Sequence, residues 1–276
     1  WWRKEIQEAE GGFGLDGLLR VRSDVVKGIL NGCDLETWNP KTDKLIPYNF
    51  DYKSMANKAK CKAELQKRMG LPVRPDVPLI GIVTRLADQK GVAEIFAPNY
   101  GSIFNMCENM DLQFAILGSG ERWCEDEINS LQSKLPNFRA YVGYDESLSH
   151  LIEAGSDFFL MPSKYEPCGL NQMYSMLYGT LPIVRRTGGL ADTVDQYNEA
   201  TGDGTGFLFD NLTPGAVYDT VGWAVYAYYH KKEHIKAMQQ RGMTKDFSWD
   251  QSAYGYTDVY VEAVQRGCGK DLRQFM

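Results

Sequence analysis

The strongest constraint in this chain is a rhythm. Short, unbroken apolar runs end in polar loops bearing glycine or proline, and helix-length amphipathic stretches separate them. The runs are Leu79–Val83, Gln113–Leu117, Ala140–Val142, Asp157–Met161, Pro182–Val184 and Gly206–Phe209. The stretches between them cover about 92–109, 121–134, 146–154, 169–179 and 214–230. A strand that is apolar at successive rather than alternate positions is buried on both faces, as in a parallel sheet covered by helices. Strand and helix in alternation form right-handed βαβ units, so the expected fold is a doubly wound α/β domain.

Composition agrees and excludes several classes. With 43% hydrophobic and 24% charged residues the chain can build a core. No apolar run reaches the ~18 residues of a membrane helix. Thirty Lys and Arg against 36 Asp and Glu leave a net charge of −6, which argues against a nucleic-acid partner. Cys33, Cys61, Cys107, Cys124, Cys168 and Cys268 form no C-x-x-C pair and read as reduced thiols. The opening Trp1-Trp2-Arg3-Lys4 lacks a Met and every mark of a signal peptide, so the expectation is a non-secreted piece of a longer polypeptide.

Two motifs fail their context. Gly12-x-Gly14-x-x-Gly17 spells a dinucleotide fingerprint, but polar Lys4–Glu10 precedes it where a strand belongs. It reads as a turn leading into a helical stretch, Leu15–Val26. His230-Lys231-Lys232-Glu233-His234 matches a zinc-protease pattern, yet it lies beside two lysines with no third ligand at hand. A solvated helix end is the simpler reading.

In such sheets ligands sit beyond the carboxyl ends of the strands, so the residues just after each run carry the chemistry. Arg85 and Lys90 follow the first run and frame a loop that Gly91 closes before a helix. Two cations beside a helix start complement a diphosphate, against the plain alternative of two solvated charges. Tyr144 follows the third run, to stack on a base or pack in the core. After the fourth comes Glu166-Pro167-Cys168-Gly169-Leu170-Asn171-Gln172, a carboxylate followed by orphan backbone donors suited to sugar hydroxyls or phosphate. Glu166 as a simple helix cap, and Cys168 as small apolar packing, are the alternatives there. Thr187-Gly188-Gly189 after the fifth run forms another anion nest or a bare turn.

These loops, in this order, resemble the carboxyl-terminal half of bacterial glycogen synthases and plant starch synthases. The matching strings are Gly28-Ile29-Leu30-Asn31-Gly32-Cys33-Asp34, Thr84-Arg85-Leu86 with Gln89-Lys90-Gly91, Glu166 through Gln172, and Arg186-Thr187-Gly188-Gly189-Leu190-Ala191-Asp192-Thr193-Val194. The likeness runs from Glu5 to about Val264. It implies the carboxyl-terminal, Rossmann-like domain of a GT-B glycosyltransferase, its amino-terminal domain missing. It also implies transfer of glucose from ADP-glucose to the non-reducing end of an α-1,4-glucan, with retention and with no metal or other cofactor. By the same resemblance Arg85 and Lys90 grip the diphosphate, Tyr144 stacks on adenine and Glu166 binds a donor-glucose hydroxyl. Backbone at Cys168 and Gly169 holds sugar hydroxyls, Leu170 and Asn171 lie near the phosphates, and Thr187, Gly188 and Gly189 line the pocket.

The implied organisation is an interdomain segment over 1–28, a nucleotide-sugar-binding domain over 29–248 and a terminal helix over 249–276 that returns to the first domain. Expected partners are ADP-glucose or ADP, the glucan and the chain's own amino-terminal domain, with neither nucleic acid nor membrane. The implied compartment is bacterial cytoplasm or plastid stroma. Without a first domain and its lysine-glycine-glycine motif, the chain is expected to be nearly inactive alone and to self-associate through Trp249, Tyr254, Tyr256, Tyr260 and Val264. Cys33 stands where the family usually has an aliphatic residue. A UDP-glucose enzyme of the sucrose-synthase type is the nearest rival, but such relatives usually carry a second glutamate at the position of Tyr174. A non-catalytic nucleotide- or glucan-binding module is the rival from another class, opposed by the intact Arg85, Lys90 and Glu166.

Overall fold

The structure is a computed structural model and describes residues 1–268. Six strands form one sheet: β1 (Leu79–Leu86), β2 (Gln113–Gly120), β3 (Phe138–Val142), β4 (Phe158–Met161), β5 (Leu181–Arg185) and β6 (Phe207–Phe209). Their order is β3-β2-β1-β4-β5-β6 and every neighbouring pair is parallel. Each expected strand is present. The chain winds outward from β1 to β3, then crosses back to start again at β4, so the order reverses between β1 and β4. A crevice opens there at the carboxyl ends.

The two faces sort by alternation. Ile80, Ile82, Phe114, Ile116, Phe158, Leu160 and Ile183 point into one core, with helices Arg122–Lys134 and Pro214–His230. Leu79, Ala115, Leu117, Phe159, Met161 and Val184 point into the other, with helices Ala56–Met69 and Glu146–Gly155. Both faces are therefore buried, as the continuous apolar runs require.

Three expectations need correction. The single helix over 92–109 is two, Val92–Phe96 and Ile103–Asn109, because Ala97 turns extended before Pro98. The stretch Leu15–Val26 is helical only over Asp16–Val21. The longer of the unforeseen helices are Ala56–Met69 and Lys232–Met243, beside the one-turn helices Trp2–Glu5 and Ala9–Gly12. In the first, the stripe facing inward is Lys58, Cys61, Lys62, Leu65 and Gln66, helical in spacing but half polar.

The segment ahead of the sheet is braced against it. Trp2 stacks on Tyr165 with centroids 6.0 Å apart, and Phe13 meets the same ring edge-on at 5.5 Å. The helix Trp249–Cys268 lies on this segment, with Ser252 Oγ donating to the Leu30 carbonyl at 2.6 Å and Lys27 pairing with Glu262 at 3.2 Å. Trp249, Tyr254, Tyr256 and Tyr260 are exposed on it. Residues 269–276 of the expected terminal element lie outside the described residues. Among the described residues no helix is long and apolar enough to cross a membrane.

A sealed polar cluster pins the 33–55 loop to the second core. Asp43 Oδ2 accepts from Tyr178 Oη at 2.5 Å and contacts His150 Nδ1 at 2.7 Å, while Oδ1 accepts from the Leu45 N–H at 2.8 Å. Trp38 covers the imidazole with ring centroids 3.7 Å apart. Burial alone would push the Asp43 carboxyl up, but the hydrogen bonds from His150 and Tyr178 outweigh it and hold the group below its ordinary value. An ionised carboxylate only accepts, so His150 carries its proton on Nδ1.

Candidate active site

The crevice between β1 and β4 holds a cavity of about 220 Å³. Arg85, Lys90, Glu166, Gly169, Leu170 and Asn171 all line it. Arg85 stands at the end of β1 opposite Ser119 in register, exposed, with a side-chain hydrogen bond to Gln89 Oε1 at 3.2 Å. Lys90 closes the one-turn 3-10 helix Asp88–Lys90, which Gly91 ends in the left-handed region at φ 68°.

Lys90 Nζ lies 2.5 Å from Glu166 Oε2, and Ser163 Oγ donates to the same oxygen at 3.2 Å. Glu166 Oε1 makes no hydrogen bond among the described residues. The capping alternative for Glu166 does not hold: the helix Asn171–Leu177 has no side-chain cap, and the carboxylate is buried against Lys90. Asn171 Nδ2 donates to the Val83 carbonyl at 2.8 Å, tying the start of that helix to the end of β1. Nothing in the spacing marked Ser163, whose hydroxyl is aimed by the turn after β4.

Five expected site residues lie off the cavity. Cys168 is half-buried, its Sγ accepting from the Asn31 N–H at 3.4 Å. Burial raises its thiol pKa against that hydrogen bond, so the sulfur is a neutral packing group at pH 7. Tyr144 is 82% exposed and packs in no core. Thr187, Gly188 and Gly189 are buried. Glu5 takes the donors of this nest: Thr187 Oγ1 lies 3.0 Å from both of its carboxylate oxygens, and the Gly188 N–H donates at 3.2 Å.

The nest also touches the Glu166 loop backbone to backbone. A Cβ on Gly188 would stand 1.9 Å from the Glu166 carbonyl oxygen, and one on Gly189 would stand 1.9 Å from that of Cys168. Glycine is required at both places by close approach.

His234 Nδ1 is 2.8 Å from Tyr197 Oη while His230 packs on Tyr226, so the histidine pair has separate neighbours. Among the described residues no group of three or more His, Cys, Asp or Glu is placed to hold a metal.

A doubly wound parallel sheet with two cations and a carboxylate gathered at its switch point is the ligand-binding architecture of an open α/β domain. The chain belongs to the family described as glycosyl transferases group 1, whose sequence model matches residues 65–239. Within it, the chain is similar to a glycogen synthase of Treponema denticola, 57% identical over 96% of this chain and 54% of that protein. It is 44% identical to soluble starch synthase 1 of Solanum tuberosum, over 94% of this chain and 40% of that one. In structure it matches the catalytic domain of starch synthase IV from Arabidopsis thaliana bound to ADP and acarbose, with a TM-score of 0.87 and 36% identity, over 96% of this chain and 54% of that one. The chain thus spans about half the length of these relatives.

Proposed function

We propose that this chain is the donor-binding half of a retaining glucosyltransferase that moves glucose from ADP-glucose to the non-reducing end of an α-1,4-glucan. The observation that carries the reading is the convergence of Arg85, Lys90 and Glu166 on one cavity at the switch point. Likeness to glycogen and starch synthases, one of them seen with ADP and acarbose, supports the choice of donor and acceptor.

Departure of ADP builds negative charge on the diphosphate, and fixed cations stabilise that charge more in the transition state than before it. Arg85 has no ion pair among the described residues and meets the diphosphate directly. Lys90 must exchange Glu166 for a phosphate oxygen, and that exchange frees Glu166 Oε2 for a donor-glucose hydroxyl. Glu166 then lies beside the developing cationic ring. Backbone N–H groups at Gly169 and Leu170 orient the donor, with Asn171 beside the phosphates and Tyr144 offering its exposed ring to adenine. Cys168, Thr187, Gly188 and Gly189 lie off the cavity and back its wall from behind, the last three open to the donor only when Glu5 withdraws.

In this reading residues 1–28 are an interdomain segment, 29–248 the donor domain and 249–276 a helix returning to an amino-terminal domain. That domain supplies the other cleft wall, so the chain alone turns over little. Bacterial cytoplasm or plastid stroma is the compartment that fits.

Calorimetric titration with ADP and then UDP tests the reading on the native chain, Arg85→Ala and Tyr144→Ala. Weak ADP binding, stronger than UDP, is expected. Arg85→Ala should abolish it, and Tyr144→Ala should weaken it about fivefold, the worth of one stacked ring. A UDP preference would overturn the choice of donor.

A further inference from the structure

A second cavity, of about 310 Å³, opens at the opposite end of the sheet, where the chain enters β1 and β4. Lys53, Lys58, Lys62 and Lys236 line it together with one carboxylate, Asp157. This is a concentration of positive charge on a chain whose net charge is −6. Asp157 is already committed: its Oδ2 takes Lys62 Nζ at 2.7 Å and the Leu79 N–H at 2.8 Å. Lys53, Lys58 and Lys236 have no carboxylate within ion-pair distance among the described residues.

Lys58 is the informative one. It is 7% exposed, and Nζ donates to two neutral acceptors, the Ala154 carbonyl at 3.1 Å and Thr180 Oγ1 at 2.7 Å. An ammonium has three N–H donors, so one is left without a hydrogen-bond acceptor, with the Phe50 ring 5.7 Å from Nζ, on a side chain that lines the cavity. A buried cation with an unspent donor calls for an anion. The neighbouring Glu153 does not provide one: its carboxylate takes the Ser175 hydroxyl at 2.7 Å, it makes no ion pair with Lys58, and burial raises its pKa. Tyr228 also lines the cavity, and Lys62 Nζ stands over its ring 5.3 Å from the centroid.

We propose that this cavity binds the phosphate dianion of a sugar monophosphate, with Lys58, Lys53 and Lys236 as its cations and Tyr228 beside the sugar. The volume admits a phosphate and one hexose ring, and the site is separate from the donor cavity.

Calorimetry on the 276-residue chain with inorganic phosphate, a hexose 1-phosphate and the unphosphorylated hexose tests this. Hexose phosphate should bind more tightly than inorganic phosphate, and the neutral sugar should not bind detectably. Equal affinity for the two phosphates would overturn the sugar part. Lys53→Glu with Lys236→Glu should weaken hexose phosphate at least about tenfold, since two attractions become repulsions. Arg85→Ala should leave its affinity within about twofold, because that residue belongs to the other end of the sheet. Binding lost with Arg85→Ala but kept in the lysine double variant would place the anion in the donor cleft and overturn the proposal, as would no binding at all. Should the charge reversals compromise folding, Lys53→Gln with Lys236→Gln gives a milder loss in the same direction. Phosphate should also slow acylation of Lys53 and Lys236 by an amine reagent in the native chain; unchanged rates count against the site.

Discussion

Glu166 and Asp43 are both buried carboxylates held by a nitrogen base and a hydroxyl, yet they are finished differently. Asp43 commits both oxygens, to His150, Tyr178 and the Leu45 N–H, and Trp38 closes over the imidazole. Glu166 commits one, to Lys90 and Ser163, and leaves the other beside a cavity. The same pairing chemistry fixes a loop where both carboxylate oxygens are used and prepares a site where one is spared. Exchange is possible only at the second.

The largest expected effect comes from breaking the open pair. In a full-length enzyme Glu166→Gln should lower kcat by about 10³-fold, about 4 kcal/mol, with a small change in melting temperature. Steady-state ADP release measures it, and near-normal turnover would remove Glu166 from the chemistry. Asp43→Ala should instead cost about 3–5 kcal/mol in urea unfolding, because it strands His150 and Tyr178 without their shared acceptor. ADP affinity per folded molecule should hold; a parallel loss would show that the sealed cluster also shapes the site.

Glu153 sharpens the contrast, being buried with Ser175 as its side-chain partner at 2.7 Å. Desolvation lifts its pKa from 4.5 to about 8. Between those values the native state keeps a proton that the unfolded chain has released, so stability falls as pH rises through that window. Lys58, lowered to about 8 by burial, is protonated in both states over most of the window and adds nothing there. Glu153→Gln should therefore flatten the stability–pH curve between about pH 5 and 8, recovering up to about 1.4 kcal/mol per pH unit. A curve that keeps its slope would mean that Glu153 is ionised in the fold. The smallest effect concerns the exposed aromatics of the terminal helix: Tyr254→Ser with Tyr260→Ser should shift a concentrated sample toward monomer in size exclusion, and a profile already monomeric would dismiss self-association.

The sheet could be read from the chain because parallel strands buried on both faces leave unbroken apolar runs, a signal that does not depend on partners. The helix Ala56–Met69 could not, because its inward stripe includes Lys58, Lys62 and Gln66, which only tertiary hydrogen bonds make tolerable inside. Pro98, by contrast, was visible and should have split the 92–109 helix. The strand-end rule placed Arg85, Lys90 and Glu166 at one crevice. It could not foresee that Glu5 reaches across 182 residues to Thr187, or that Asp43, His150 and Tyr178 meet. Those contacts depend on how distant segments fold over one another, which no local spacing records.

The bare backbones of Gly188 and Gly189, seated on the carbonyls of Glu166 and Cys168, also bear on how this domain can be re-engineered. Two segments that share a surface with no side chain between them behave as a mould and its cast. Transplanting the Glu166 loop from an enzyme of different donor preference, without the glycine pair that receives it, should yield a misfit rather than a new specificity. The exchangeable unit is both loops together.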